Sequence, residues 1–177
     1  MARNEWGTWS DFIGLFVATG YVQGELAQSL LLVGPPGCGK STILRRFFRV
    51  PSGVGGRDGA AEGLKQEVLR RAIKGQERHL MLPEMDKLRQ GRGPTADNTI
   101  GVLTLAMSGE MHDSFIGDKQ MDEYPKGFQL GVIGAMPSAV FNDWKQIINN
   151  TGLLSRMLPV KFSFSDAMQA SILAAIA

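Results

Sequence analysis

The amino-acid sequence predicts an α/β fold in which a parallel sheet is covered by helices on both faces. Three observations support this prediction. Gly and Pro divide the chain into alternating strand-like and helix-like segments, the strand-like segments are short apolar runs, and a glycine-rich turn directly follows the first of them. With 177 residues, 44% of them hydrophobic, the chain has the length of one domain and enough apolar side chains for a substantial core.

The predicted strands are apolar runs too short to be helices, as expected for strands that are buried on both faces. They cover residues 29–33, ended by Gly34; residues 79–82, ended by Pro83; residues 129–134; and residues 160–164, in which apolar and polar residues alternate. Because helices are predicted between them, these strands are expected to run parallel.

The predicted helices are segments in which apolar residues recur at intervals of three or four. They run from residue 39 to about residue 48, from a cap at Asp58 to a stop at Gly75, through Ile100 and Met107 to Gly109, from Pro137 to about Gly152, and from a cap at Ser165 to Ala177. The chain is therefore expected to consist of an N-terminal segment (1–28), a core (29–165) and a short C-terminal helix (166–177).

The N-terminal segment is rich in aromatic side chains. These are Trp6, Trp9, Phe12, Phe16 and Tyr21, at near-helical spacing. Such a stripe is expected to pack on the core or to cover an adenine ring, and the alternative is that the rings stack on nucleic-acid bases. The segment has no Lys or Arg after Arg3, which favours packing.

Composition excludes the collagenous, disordered and disulfide-rich classes of protein. A single Cys cannot form an internal disulfide, which fits a cytoplasmic protein. No apolar run approaches the roughly 20 residues of a membrane span, and no targeting segment is recognised. The net charge of +2 does not by itself indicate nucleic acid, but residues 65–92 carry eight Lys or Arg against four acids, whereas residues 110–126 carry five acids against two Lys.

A phosphate-binding loop is predicted directly after the first strand. The residues are Gly34, Pro35, Pro36, Gly37, Cys38, Gly39, Lys40 and Ser41, which fit the Walker A pattern G-x-x-x-x-G-K-[ST], with Thr42 following. The glycines allow backbone N–H groups to approach phosphate oxygens, and the helix that follows directs its positive end at the same anion. We expect these residues to bind ATP, with Lys40 on the β- and γ-phosphates and the Ser41 hydroxyl on Mg²⁺.

The second predicted strand is followed by Pro83 and Glu84, and Asp86 lies two residues further on. This segment resembles the Walker B strand of AAA+ ATPases, in which apolar residues are followed by Asp-Glu. The resemblance puts Pro83 at the position of the metal-side Asp and implies that Glu84 polarises the attacking water. Mg²⁺ would then rely on Ser41, the phosphates and water, with Glu84 or, as the alternative, Asp86 as the carboxylate ligand. The alternative is that Glu84 only caps the turn that follows the strand.

Two later segments resemble the helicase-like branch of the same family. Residues 131–137 fall where that branch has its fourth strand and sensor 1, with Met136 at the polar position and Ser138 as the nearest substitute. Residues 152–163 are similar to the Leu-Leu-Ser-Arg segment of minichromosome maintenance helicases. That similarity implies that Arg156 is an arginine finger acting on the ATP of a neighbouring subunit, and the alternative is an ion pair within its own subunit.

The resemblance implies a P-loop NTPase with a five-stranded sheet and a hexameric ring or spiral. Proteins of this family usually continue into a helical lid, but residues 166–177 are too short for one, so little or no C-terminal lid is expected: either the lid is dispensed with or the chain has been cut. Lys40, Glu84 and Arg156 would be the catalytic residues. The first functional hypothesis is a DNA-associated motor or helicase-loader-like ATPase, compact enough for a virus or mobile element, in which Lys87, Arg89 and Arg92 form a basic cluster near Glu84. The second is an ATP-gated protein-remodelling or assembly scaffold with slow hydrolysis.

Overall fold

A parallel sheet with helices on both faces forms the body of the molecule. The computed structural model describes residues 5–22, 27–47, 53–55, 78–89, 94–110, 129–167 and 170. Its strands are β1 (Leu30–Gly34), β2 (Gly53–Gly55), β3 (His79–Leu82), β4 (Gly131–Pro137) and β5 (Leu158–Lys161), in the spatial order β2-β3-β4-β1-β5. Four of them have four residues or more, and β2 is a three-residue segment at one edge. All described pairs are parallel, so the predicted α/β class is confirmed.

Four α-helices and two short 3-10 helices lie in the described part of the chain. The α-helices are α1 (Glu5–Thr19), α2 (Lys40–Arg46), α3 (Pro94–Ser108) and α4 (Ser138–Asn150), and the 3-10 helices are Met85–Arg89 and Leu154–Arg156. The predicted helix between Asp58 and Gly75 lies outside the described residues, as does most of the predicted helix ending at Ala177.

Two strand boundaries differ from the sequence prediction. Strand β4 begins at Gly131 and continues to Pro137, which then caps α4 in an extended conformation (φ −62°, ψ 143°) instead of lying in the first helical turn. Strand β5 ends at Lys161, before the predicted alternation of Phe162 and Phe164. Both rings are nevertheless buried, because the Phe162 N–H donates to the Val33 carbonyl (2.7 Å) and keeps the chain beside β1.

The core consists of two layers, one on each face of the sheet. Successive residues of a strand point to opposite faces, so Leu31 packs in one layer and Leu30 and Leu32 pack in the other. Buried residues of α3 and α4 belong to the first layer, and buried residues of α1 and α2 belong to the second.

The parallel arrangement determines which loops meet. Gly34 at the end of β1 lies opposite Pro137 at the end of β4, and Leu82 at the end of β3 lies opposite Gly134. The segments that follow these three strands therefore share the carboxyl edge of the sheet, where α/β proteins usually bind ligands. The 3-10 helix Leu154–Arg156 precedes β5 and lies at the opposite, amino edge.

Candidate functional site

The glycine-rich turn connects β1 to α2 at the carboxyl edge. Its Gly37 and Gly39 have φ of 75° and 85°, left-handed conformations that side chains with a Cβ rarely adopt. Pro35, Pro36, Gly37 and Thr42 are exposed, whereas Cys38, Gly39 and Ser41 are partly buried. The turn is thus an exposed loop, and its sharp bends account for two of the motif's glycines.

Lys40 is the charged centre of this loop. Its side chain is 7% exposed, and Nζ donates to the carbonyl oxygens of Gly34 (2.9 Å) and Pro35 (2.6 Å), with Cys38 Sγ at 3.3 Å. A buried ammonium group is costly unless polar groups surround it. The loop therefore encloses its own cation and supplies the acceptors that stabilise it.

Ser41 links the loop to the end of β3. Its Oγ donates to the carbonyl oxygen of Pro83 (2.8 Å), a residue 42 positions further along the chain. The residue at the position where the resemblance expects an Asp thus contributes a main-chain carbonyl, and its own side chain offers no metal ligand.

Glu84 follows immediately and is paired with two cations. Its Oε1 lies 3.2 Å from Arg45 Nη2, and its Oε2 forms an ion pair with Lys87. The Glu84 side chain is 30% exposed, and those of Arg45 and Lys87 are 58% and 40% exposed. Glu84 therefore lies at the carboxyl edge near Ser41, but each carboxylate oxygen already has a cationic partner.

Strand β4 lies between β1 and β3 in the sheet, so its carboxyl end lies between the ends of the two strands that lead to the loop and to Glu84. Met136 has a fully buried side chain that belongs to the apolar core. It does not present a polar group at the edge, in contrast to the polar residue that the resemblance implies at this position. Ser138, partly buried at the start of α4, is the nearest hydroxyl along this segment.

Arg156 lies at the other edge of the sheet. Its Nε donates to Ser108 Oγ (2.5 Å), and Nη1 donates to the Gly152 carbonyl (2.9 Å). Because Leu158 pairs with Leu30, the start of β5 is four strand residues, or about 13 Å, from Gly34. The guanidinium group therefore does not reach the loop of its own chain.

The N-terminal aromatic residues pack behind the loop. Trp9 contacts Phe162, with ring centroids 4.5 Å apart, and Phe12 contacts both Trp9 and Phe16. Tyr21 is 54% exposed and lies beyond the end of α1. The side chains of Trp6, Arg89 and Arg92 lie outside the described residues, as does most of the acidic segment 110–126.

Two residues near the sheet were missed by sequence reasoning. Arg45 pairs with Glu84, which lies 39 positions further along the chain. The sequence indicated only that Arg45 is a basic residue in the helix after the motif. His79 is fully buried at the amino edge, with Nε2 at 3.0 Å from the Gln28 carbonyl oxygen. Burial lowers the pKa of His79 below its ordinary value of 6.5, and the contact with Gln28 partly opposes this shift.

The donor set of the site does not fit a Mg²⁺ ion held by protein carboxylates. The Ser41 hydroxyl donates to the Pro83 carbonyl oxygen, and the Glu84 carboxylate is paired with two cations. The described residues contain no group of three or more His, Cys, Asp or Glu that could hold a metal. This arrangement differs from the metal site that the resemblance implies.

Comparisons of the chain with protein-family models, with curated proteins and with solved structures gave no match. None of the helices in the described ranges has the length and apolar composition that crossing a bilayer requires.

Proposed function

We propose that the chain is an ATP-binding, slowly hydrolysing P-loop ATPase of the AAA+ type, which acts on DNA as a head-to-tail oligomer in the cytoplasm. The observation that carries this proposal is the loop between β1 and α2, in which Gly37 and Gly39 take left-handed conformations around the buried Lys40 ammonium group. The interior position of β1, between β4 and β5, supports the more specific assignment of a five-stranded AAA+ core.

Nucleotide binding would begin at Lys40. The ammonium group is held by two neutral carbonyl oxygens, and a phosphate oxygen would form a stronger, charge-assisted hydrogen bond in their place. Backbone N–H groups of the loop would bind the remaining phosphate oxygens. Glu84 would orient the attacking water after its ion pairs with Arg45 and Lys87 open, which is consistent with slow turnover.

The position of Arg156 supports action between subunits. The loop and Arg156 lie at opposite edges of the same sheet, so one repeated contact between edges would bring each guanidinium group to the neighbouring loop. There it would neutralise charge on the transferring phosphoryl group, an effect worth ~10³–10⁵ in rate. Rings or spirals of about six subunits are the assembly that the family resemblance implies.

The experiment that tests this proposal is ATP hydrolysis by mixtures of two inactive variants. Arg156→Ala keeps its own Glu84, and Glu84→Gln keeps its own Arg156. An equimolar mixture is expected to recover activity that each variant lacks, because some interfaces then combine an intact Glu84 with an intact Arg156. Lys145→Ala, at an exposed position on α4, is the control for loss of a cation.

DNA is tested in the same assay. Exposed cations beside the loop, Arg45 and Lys87, favour contact with phosphate groups. Single- or double-stranded DNA is expected to raise the hydrolysis rate of the wild type. A rate that neither form of DNA changes would contradict the DNA-associated role, and no recovery in the mixture would contradict action between subunits.

The second candidate function is an ATP-gated assembly or protein-remodelling scaffold. The pairing of both Glu84 oxygens favours it, together with the apolar Met136 at the family's polar position, because both imply slow turnover. Sedimentation with and without ATP separates the two candidates. A scaffold is expected to change its oligomeric state with ATP while DNA leaves hydrolysis unchanged.

A further inference from the structure

We propose that this loop binds nucleoside triphosphate without a divalent cation. The inference rests on the proposed ATP binding at the same loop and concerns its cofactor requirement. Three features of the carboxyl edge support it: the ligands at the end of β3, the pairing of Glu84, and the charge that surrounds the loop.

The end of β3 lacks the ligand that a magnesium ion would use. Mg²⁺ is usually held by one or two carboxylates together with water and substrate phosphates, in nearly ideal octahedral geometry. The side chain at position 83 is a pyrrolidine ring, and the Pro83 carbonyl oxygen already accepts the hydrogen bond of Ser41 Oγ at 2.8 Å. A metal at Ser41 would therefore compete with this contact and gain no carboxylate in return.

The carboxylate that directly follows Pro83 is already neutralised. Glu84 Oε1 lies 3.2 Å from Arg45 Nη2, and Oε2 is paired with Lys87. A divalent cation would have to displace both side chains and would then lie beside two positive charges, which repel it. These cations therefore occupy the place that a metal would take at Glu84.

The surrounding charge favours the metal-free anion. Among the side chains that the structure describes, the loop, α2 and the turn and 3-10 helix after β3 carry four cations, Lys40, Arg45, Arg46 and Lys87, against the two carboxylates Glu84 and Asp86. Metal-free ATP is more negative than its magnesium complex and gains more from this positive field. A carboxylate at position 83 would oppose the free nucleotide, and its absence removes that repulsion.

The test measures binding of a fluorescent ATP analogue to the full chain, once with excess Mg²⁺ and once with EDTA. For the wild type, the two dissociation constants are expected to agree within about threefold. Pro83→Asp is expected to weaken binding in EDTA by roughly tenfold or more, while binding in Mg²⁺ changes less, because the new carboxylate repels the free anion and offers a ligand to the metal. Pro83→Ala, which adds no charge, serves as the matched control and is expected to behave as the wild type does.

The outcomes separate this inference from the proposed function. Wild-type binding that disappears in EDTA and returns with Mg²⁺ would overturn metal-independent binding and leave the proposed ATP binding intact. No binding under either condition would overturn the proposed function and this inference with it. Because the wild type alone decides the matter, an unfolded Pro83→Asp variant, detected by circular dichroism, would not prevent the test.

Discussion

The close approach of Gly34 to the segment after β5 makes Gly34→Ala a sharp test of the packing. A Cβ at this position would overlap the main-chain carbonyl oxygen of Phe162 and would lie 3.2 Å from its carbonyl carbon and 3.3 Å from Cys38 Sγ. The carbonyl group belongs to the backbone and cannot rotate away as a flexible side chain would. We therefore expect the end of β1 and residue 162 to move apart, which strains the 2.7 Å hydrogen bond from the Phe162 N–H to the Val33 carbonyl.

The expected cost combines two effects. Overpacking of a closely packed site costs about 1–3 kcal/mol, and weakening one backbone hydrogen bond costs about 1 kcal/mol. The sum is roughly 2–4 kcal/mol, and a domain of this size loses about 2–4 °C in melting temperature per kcal/mol, so the expected decrease is about 4–16 °C. Thermal unfolding followed by circular dichroism measures it, and urea titration gives the corresponding free energy.

Two glycines provide matched controls for this substitution. Gly101, inside α3, has nothing within 4 Å of an added Cβ, so Gly101→Ala is expected to stabilise the protein by roughly 0.5–1 kcal/mol. Gly37 has equal space but a φ of 75°, so Gly37→Ala isolates backbone strain of about 1–2 kcal/mol. A Gly34→Ala melting temperature within a degree or so of wild type would show that the approach of residue 162 to β1 is not as close as described.

Three further predictions concern the site and its surroundings. Lys87→Ala frees one oxygen of Glu84 from an exposed ion pair worth about 0.2–1 kcal/mol, so ATP turnover is expected to rise by up to about fivefold. Equal hydrolysis rates for Lys87→Ala and the Lys145→Ala control would show that the ion pair does not restrain Glu84. Because the pKa of His79 is lowered in the folded state, the unfolded chain binds more protons below pH 6.5, so the free energy of unfolding should fall as the pH decreases through that value; a His79→Gln variant with the same pH slope would exclude His79 as the cause. Trp9→Ala removes a ring that packs on the segment after β5 and is expected to cost about 2–4 kcal/mol, measured by urea unfolding, and a loss below about 1 kcal/mol would mean that α1 packs only loosely.

Features encoded by neighbouring residues could be predicted from the sequence. The turn between β1 and α2 was recognisable because glycines and Lys40 act through backbone freedom and charge at fixed spacing. The parallel class followed from the buried apolar runs at Leu30–Gly34 and His79–Leu82. The boundaries of β5 were less predictable, because this edge strand begins with the exposed Leu158 and Pro159 and has no apolar run to mark it.

Contacts between distant residues could not be predicted in the same way. The Ser41–Pro83 hydrogen bond and the Arg45–Glu84 ion pair each join residues about forty positions apart, and the strand order that brings them together leaves no local signal. The family resemblance placed Met136 at a polar position, but its apolar side chain is fully buried in the core. The sequence thus indicated that Ser41 and Glu84 belong to this edge of the sheet, but it did not indicate their contacts with Pro83 and Arg45.

The separation of the loop and Arg156 onto opposite edges has a consequence for stoichiometry. If Arg156 acts on a neighbouring loop as proposed, each copy of the chain would carry half of two different composite sites and the whole of none. In an open stack, the terminal copy at one end keeps a loop that no guanidinium group reaches, and the copy at the other end keeps an Arg156 with no loop to contact. An open stack of n subunits would contain n − 1 complete sites, so the fraction of complete sites would be (n − 1)/n. Only a closed ring would complete every site. Turnover per subunit would therefore rise with concentration as stacks lengthen and would reach a plateau where they close.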